Sequence, residues 1–261
     1  MRTLTFGYSP CPNDTFAFHA LTHGLVEAPF RIEPVLLDIE ALNRRAHEGA
    51  FDLTKLSVGA FAAVGDRYQL LRSGAALGHG VGPLVVARRP MSLAEAAAGR
   101  LAIPGRATTA YRLLRLAAGA LTAPVELRYD QILRAVADGD VDAGLIIHES
   151  RFTYAEHGLV QVADLGAWWE ADTGLPVPLA GICARSTLDA ATIADAERAI
   201  RASVEYAFAQ PDASRAYVRA HAQEMSDAVC DQHIALYVNK HSLDIGDDGM
   251  RAIERLVGRT P

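Results

Sequence analysis

The sequence is poor in cysteine and lacks long hydrophobic runs. Its 261 residues include three cysteines, at positions 11, 183 and 230, and none of them forms a Cys-x-x-Cys spacing. An odd, scattered set of this kind argues against a disulfide framework and a structural zinc site. The N-terminus lacks the apolar core of a signal peptide, and no later stretch approaches the length of a membrane span. We therefore expect a cytoplasmic protein without membrane segments.

Clustered positive charge is also missing. Lysine and arginine total 25 against 31 aspartate and glutamate residues, which gives a formal net charge of −6. The arginines occur singly or in pairs, whereas binding to a phosphate backbone favours a basic stripe. The sequence predicts no nucleic-acid partner.

A metal site has one weak candidate among the nine histidines. His19 and His23 are four residues apart and could share a helix face, but the His-Glu-x-x-His form and a third ligand are both absent. Two solvated helix histidines explain the spacing better. We predict no metal.

What the sequence does contain is a repeated alternation of short apolar strands with helices, which is typical of a parallel α/β sheet. One block begins with strands at residues 3–8, 32–37 and 51–56, and another with strands at 101–104, 125–129 and 141–147. The apolar runs 84–87 and 181–184 are predicted to cross between the blocks. This pattern predicts two α/β lobes with a cleft between them. The first would comprise residues 1–87 and 184–261, and the second residues 88–183.

Ligands of open parallel sheets bind beyond the carboxyl ends of the strands. In this chain that rule selects residues 9–13, Lys55 to Ser57, Thr108 to Thr109, and His148. We expect these segments to meet in the cleft.

Thr108 and Thr109 follow a glycine turn and open a helix. The N–H groups of a helix start carry partial positive charge and hold carboxylates or phosphates. One threonine could serve only as the N-cap, but the adjacent pair is equally consistent with an anion site.

Lys55 and Ser57 stand at the end of the third strand. Alone they could be a surface lysine and a capping serine. A lysine inside the strand, however, would need a partner or a ligand, and together with the threonines the pair favours a binding site.

His148 follows the buried strand 141–147. An imidazole has an ordinary pKa of about 6.5, so it can take and return a proton near neutral pH. A hydrogen-bonded structural histidine is the alternative. Glu149 faces the opposite way along an extended chain, so we leave it out of the predicted catalytic set.

The stretch Ser9-Pro10-Cys11-Pro12-Asn13-Asp14 is the most unusual of the sequence. Two prolines restrict the backbone, so that Asn13 could be presented rigidly to a ligand. Asp14 is predicted to cap the next helix. Cys11 has no neighbour in sequence that would lower its pKa, so we expect a buried packing residue rather than a nucleophile. The two tryptophans, Trp168 and Trp169, could form a wall of the cleft, a lid or part of the core.

These motifs resemble a known family. The segment from Ser9 to Phe16 is similar to the opening signature of the 1,4-dihydroxy-6-naphthoate synthases of the futalosine route to menaquinone. Lys55-Leu56-Ser57, Thr108-Thr109-Ala110 and Ile147-His148-Glu149 stand where that family carries its ligand contacts and its histidine. The resemblance covers essentially the whole chain, although only the opening motif is specific.

The resemblance implies a type II periplasmic-binding-protein fold that has become an enzyme. Its substrate would be cyclic dehypoxanthine futalosine, cleaved to 1,4-dihydroxy-6-naphthoate without a cofactor. His148 would be the base, and the other predicted site residues would hold the substrate: Asn13, Lys55, Ser57, Thr108 and Thr109. Two rivals remain open, a solute-binding module without chemistry and the sister chorismate dehydratase.

Overall fold

The computed structural model describes residues 1–222 and 226–258. Its strands are β1 (Arg2–Tyr8), β2 (Phe30–Leu36), β3 (Leu53–Ser57), β4 (Tyr68–Leu70), β5 (Ala76–Gly78), β6 (Leu84–Ala87), β7 (Arg100–Ile103), β8 (Ala123–Glu126), β9 (Ala143–Ile146), β10 (Val160–Asp164) and β11 (Val177–Arg185). Its α-helices are α1 (Pro12–Thr22), α2 (Ile39–Ala46), α3 (Val58–Val64), α4 (Leu93–Ala98), α5 (Thr109–Ala118), α6 (Ile132–Asp138), α7 (Ser150–Thr153), α8 (Leu165–Thr173), α9 (Ala190–Ala209), α10 (Arg215–His221), α11 (Asp227–Tyr237), α12 (Lys240–Leu243) and α13 (Gly246–Val257).

The first sheet has the order β2-β1-β3-β11-β4, with β5 also paired to β11. Strand β1 runs parallel to β2 and β3, whereas β11 runs antiparallel to β3. Strand β2 lies at the edge of the sheet, which is where a strand containing Pro34 is tolerated because proline has no N–H to donate.

The second sheet has the order β10-β6-β9-β7-β8. Strand β7 is parallel to β8 and β9, and β6 is antiparallel to both of its neighbours. The predicted architecture of two α/β lobes is confirmed, and the runs predicted to cross between them form the antiparallel strands β6 and β11.

Sheet membership places the two crossings earlier than the sequence predicted. Strand β6 pairs inside the second sheet, so the chain has already crossed before Leu84, and β11 pairs inside the first sheet from Val177 onward. The predicted limits after residues 87 and 183 therefore fall at or within strands. An apolar run shows that a strand exists but does not show which sheet it joins. Residues 223–225 and 259–261 of the predicted first lobe lie outside the described residues.

The chain after β11 returns to the first sheet. Helix α9 packs on α1, α11 packs on α1 and β5, and α13 packs on α3 and β11. This return brings α11, more than 200 residues from the N-terminus, against the loop that follows β1. Within the described ranges, no helix has both the length and the apolarity to span a bilayer.

Two glycines make close backbone contact where the chain enters the second sheet. A Cβ built on Gly82 would lie 2.7 Å from the Cα of Gly166, and a Cβ on Gly166 would collide with the carbonyl oxygen of Val81. Neither clash involves a side chain that could rotate away, so both positions require glycine.

Gly166→Ala should therefore destabilise the fold by about 2 kcal/mol or more, the range expected for overpacking against backbone. Gly65→Ala is the matched control, because Gly65 has φ −64° and a Cβ there would make only an ordinary contact at 3.5 Å. Urea denaturation of the two variants checks the difference. Equal unfolding midpoints would contradict it.

Candidate active site

A cavity of about 550 Å³, including its open mouth, lies between residues that follow strands of both sheets. The six predicted site residues all line it: Asn13, Lys55, Ser57, Thr108, Thr109 and His148. Apolar side chains such as Ile39, Ile147 and Leu179 form much of the remaining wall. The structure thus brings together the segments that the strand-end rule selected, while the role of each residue in binding or catalysis stays a prediction.

His148 is held in a conformation that side chains rarely adopt. Among the described residues it is the only non-glycine residue with positive φ, at 58°. Its ring meets the edge of Tyr129, with ring centroids 4.9 Å apart. The Nε2 atom is buried and has no hydrogen-bond partner within the described ranges. A strained, unpartnered imidazole in a cavity is typical of a functional position.

Burial also changes the charge state of His148. Desolvation, with a smaller contribution from the Lys55 ammonium, lowers the pKa of the imidazole from 6.5 to about 3. The ring is therefore neutral throughout the neutral pH range.

Lys55 forms a buried ion pair with Asp14. Both side chains are almost fully buried, and the second carboxylate oxygen of Asp14 accepts hydrogen bonds from the backbone N–H and the hydroxyl of Ser9, at 3.1 and 2.7 Å. The strand lysine thus has the partner that its burial demands. The prediction that Asp14 caps α1 is wrong. The helix begins at Pro12 with Cys11 as N-cap, and Asp14 lies inside the first turn, turned toward Lys55.

Asn43 of α2 determines the position of Ser57. Its amide oxygen accepts from the Ser57 N–H, and its amide nitrogen donates to the Ser57 hydroxyl, both at 3.0 Å. The same nitrogen lies 3.3 Å from the carbonyl oxygen of Ala107, across the cleft. Ser57 is the N-cap residue of α3 by position, but its side chain makes no capping hydrogen bond.

The two threonine hydroxyls have different structural roles. Thr108 is the N-cap of α5, since its hydroxyl accepts from the N–H of Tyr111 at 3.1 Å. The Thr109 hydroxyl joins the lobes, because it donates to the carbonyl of Leu179 at 2.6 Å and accepts from the N–H of Gly59 at 3.0 Å. The groups that α5 can offer to an anion are therefore its first backbone amides, which have no partner inside a helix.

Asn13 links the buried ion pair to a second histidine. Its amide nitrogen donates to Asp14 at 2.8 Å, and its amide oxygen lies 2.9 Å from Nε2 of His233. His233 is fully buried on α11 and lines the same cavity. Desolvation, and then the proximity of His148 and Lys55, lowers its pKa well below the ordinary value.

This arrangement combines a neutral proton acceptor with donors suited to negative charge. Such a combination supports removal of a proton from a substrate whose developing charge is held by backbone amides. Comparison with known proteins identifies the family.

A sequence model of the menaquinone biosynthesis family matches residues 4–261. The chain belongs to this family. Two relatives, both named 1,4-dihydroxy-6-naphthoate synthase, come from Thermus thermophilus and Streptomyces coelicolor. They are 59% and 46% identical to this chain over 98% of its length, and the alignments cover 93% and 92% of the relatives. The predicted family and the prediction of an enzyme in menaquinone biosynthesis are confirmed.

The fold relationship extends beyond the menaquinone biosynthesis family. A Candida albicans protein described as having the generic periplasmic-binding-protein fold superposes with a TM-score of 0.73 at 14% identity, covering 98% of this chain and 89% of that one. At this identity the likeness shows the fold alone, and it confirms the predicted periplasmic-binding-protein-like architecture.

The structure also shows the positions of Cys11 and of the two tryptophans. Cys11 is buried, and burial raises the pKa of its thiol well above 9, as expected for a packing residue rather than a nucleophile. Trp169 lies on α8 and is fully buried, and its indole N–H donates to the carbonyl of Pro176. Neither Trp169 nor Trp168 belongs to the residues that line the cavity.

Asn43 and His233 are site residues that the sequence reading missed. Asn43 shares the buried stripe of α2 with Ile39, Leu42 and Ala46, and His233 lies between buried Cys230 and Tyr237 on α11. The sequence signal that could have identified both is a polar residue at helical spacing among apolar residues, because a buried polar side chain needs a hydrogen-bond partner.

The histidine pair considered as a metal site lies outside the cavity. The rings of His19, in the last turn of α1, and His23, its C-cap residue, are 4.4 Å apart. In residues 1–222 and 226–258 no group of three potential ligands could hold a metal ion.

Breaking the ion pair from one side should be costly. Lys55→Met leaves the Asp14 carboxylate buried without its cation and should lower the free energy of unfolding by about 3–5 kcal/mol. Adding Asp14→Asn to that variant should restore much of the loss, because the uncompensated charge is gone. Arg251→Met breaks the exposed Arg251–Asp248 pair and should have little effect. Urea denaturation tests all three, and a single Lys55→Met variant as stable as the control would contradict the account.

Proposed function

We propose that this enzyme is a carbon–carbon lyase that cleaves cyclic dehypoxanthine futalosine to 1,4-dihydroxy-6-naphthoate and a sugar-derived fragment, with His148 as the base that removes a proton and starts the elimination. The names of the two relatives support the product. The observation that carries the mechanism is the neutral imidazole of His148, whose buried Nε2 has no hydrogen-bond partner among the described residues and lies in the same cavity as the start of α5.

The cavity offers suitable contacts for an acidic product. The first amides of α5 would hold a carboxylate of the substrate, and the Asn43–Ser57 unit would hold a second polar group. The Thr109 hydroxyl already bonds to Leu179 and Gly59 of the first lobe, so its contribution to binding would be to keep the two halves of the cavity together. Because the Lys55 ammonium is paired with Asp14, Lys55 would act on the substrate through its positive electrostatic potential rather than by a direct contact. The cytoplasmic location and the independence from cofactors stay predictions.

An activity assay on the purified protein tests the function. Incubation with cyclic dehypoxanthine futalosine should release the naphthoate, followed by its chromophore and by mass spectrometry, and His148→Ala should abolish release while ligand binding persists. His157→Ala is the matched control, since His157 is exposed and lies outside the cavity. Stoichiometric binding of an unchanged compound would instead indicate a solute-binding module, and release of a carboxyvinyl product from chorismate would indicate the sister dehydratase.

The pH dependence of kcat/KM should reflect the lowered pKa of His148. For a base with an ordinary pKa near 6.5, the active, neutral fraction falls about tenfold when the pH is lowered from about 7.5 to about 5.5. With a pKa of about 3, the His148 imidazole stays neutral over that range, so kcat/KM should not fall through loss of the base until the pH approaches 4.

NMR titration of the His148 ring, assigned by its loss in His148→Ala, separates this group from others that titrate. A His148 pKa near 6.5, with a matching acidic limb in kcat/KM, would contradict the prediction.

A further inference from the structure

His233 is a second buried histidine of the cavity that the proposed mechanism does not use. Its ring lies 6.2 Å from that of His148 and 4.6 Å from that of Tyr237, measured between centroids. It is fully buried, it lines the cavity, and its Nδ1 atom has no hydrogen-bond partner in the described part of the chain. A buried polar atom without a partner needs an explanation.

The hydrogen-bond network determines which nitrogen of His233 carries the proton. The Asp14 carboxylate accepts from Ser9 and Lys55 and can only accept, so the Asn13 atom facing it is the amide nitrogen. The Asn13 oxygen consequently faces Nε2 of His233, and because an amide oxygen can only accept, Nε2 must donate. In a neutral imidazole the other nitrogen, Nδ1, is then an acceptor.

We propose that His233 is a substrate-binding residue whose Nδ1 accepts a hydrogen bond from a ligand hydroxyl, and that Asn13 is the positioning residue that holds it in the Nε2–H form. A hydroxyl fits because it supplies the missing donor without requiring a second charge beside Lys55. Hydrogen bonds link Lys55 to Asp14, Asp14 to Asn13, and Asn13 to His233. The unusual stretch around residues 9–14 would therefore serve to orient His233. Asn13 then acts through His233 rather than as the direct substrate contact that the sequence suggested.

The tautomer is tested without any substrate. Two-bond ¹H–¹⁵N correlation spectra of the ¹⁵N-labelled full chain at pH 7.5 should show His233, assigned by its loss in His233→Gln, with Nε2 protonated and Nδ1 bare. Asn13→Leu should allow the Nδ1–H form to appear. A wild-type ring that is protonated at Nδ1, or at both nitrogens, overturns the inference.

The contact with substrate rests on the proposed function and is tested by turnover. His233→Gln places an amide nitrogen near the position of Nε2, so the bond to Asn13 can persist, but it lacks an acceptor at the position of Nδ1. It should lower kcat/KM at least tenfold, mainly through KM, with little change in melting temperature.

His241→Asn is the control, because His241 is a buried histidine outside the cavity and asparagine can keep its bond from the Nδ1 position to the carbonyl of Ile245. Its kcat/KM should stay within twofold of wild type. A His233→Gln variant within twofold of wild type, or an equal loss in both variants, overturns the inference while the proposed function stands. If the wild type does not turn over the compound, the proposed function has failed, and the tautomer spectra decide the case for His233.

Discussion

The buried ion pair between Lys55 and Asp14 is the interaction on which the rest of the site depends. An ammonium and a carboxylate removed from water are stable only when they are paired and their remaining bonding capacity is used. Here the carboxylate takes bonds from Ser9, Lys55 and Asn13, which connects β3 to the loop after β1 and to the first turn of α1. The same cation contributes to the lowered pKa values of both cavity histidines. The pair therefore supports the local structure and adds to the effect of burial, which is the main reason that the pKa values of the imidazoles are lowered.

Contacts across the cleft complete the site. Asn43 of the first lobe donates to the carbonyl of Ala107 in the second, and Thr109 of the second lobe bonds to Gly59 and Leu179 in the first, so each lobe supplies hydrogen-bonding groups to the other. Arg112 of α5 adds two bonds to the last carbonyls of α13, at Leu256 and Val257. Several of these bonds use backbone groups at helix ends, such as the carbonyls of Leu256 and Val257, which lack partners inside their own helix. The periplasmic-binding-protein-like fold brings these groups of the two lobes together.

Much of this arrangement could be predicted from sequence because it follows local rules. Thr108 caps α5, one of the two roles that the sequence allowed for the threonine pair, and the alternation of strands and helices indicated both lobes. Strand ends of parallel sheets share an edge, which was sufficient to gather His148 with Ser57 and Thr109. The error at Asp14 has a physical cause. An aspartate near a proline at a helix start is equally compatible with capping and with a place in the first turn, and only the buried lysine of β3 decides between them.

The remaining features depend on contacts between distant segments. The bond from His233 to Asn13 spans 220 residues, and no local pattern encodes it. Strand β4 has three residues and exists through its pairing with β11, so it is too short to show a period of its own. The left-handed backbone of His148 is likewise not predicted by the neighbouring sequence.

The central claim is that a single small anionic molecule contacts both the start of α5 and the imidazole of His148. A crystal structure of the His148→Ala variant with cyclic dehypoxanthine futalosine tests it most directly. The account predicts a carboxylate at the amides of Thr109 and Ala110, with the reacting carbon facing the space that the imidazole occupied. A ligand bound elsewhere, for example in the groove between Phe208 and Arg219, with no contact to α5, would contradict it.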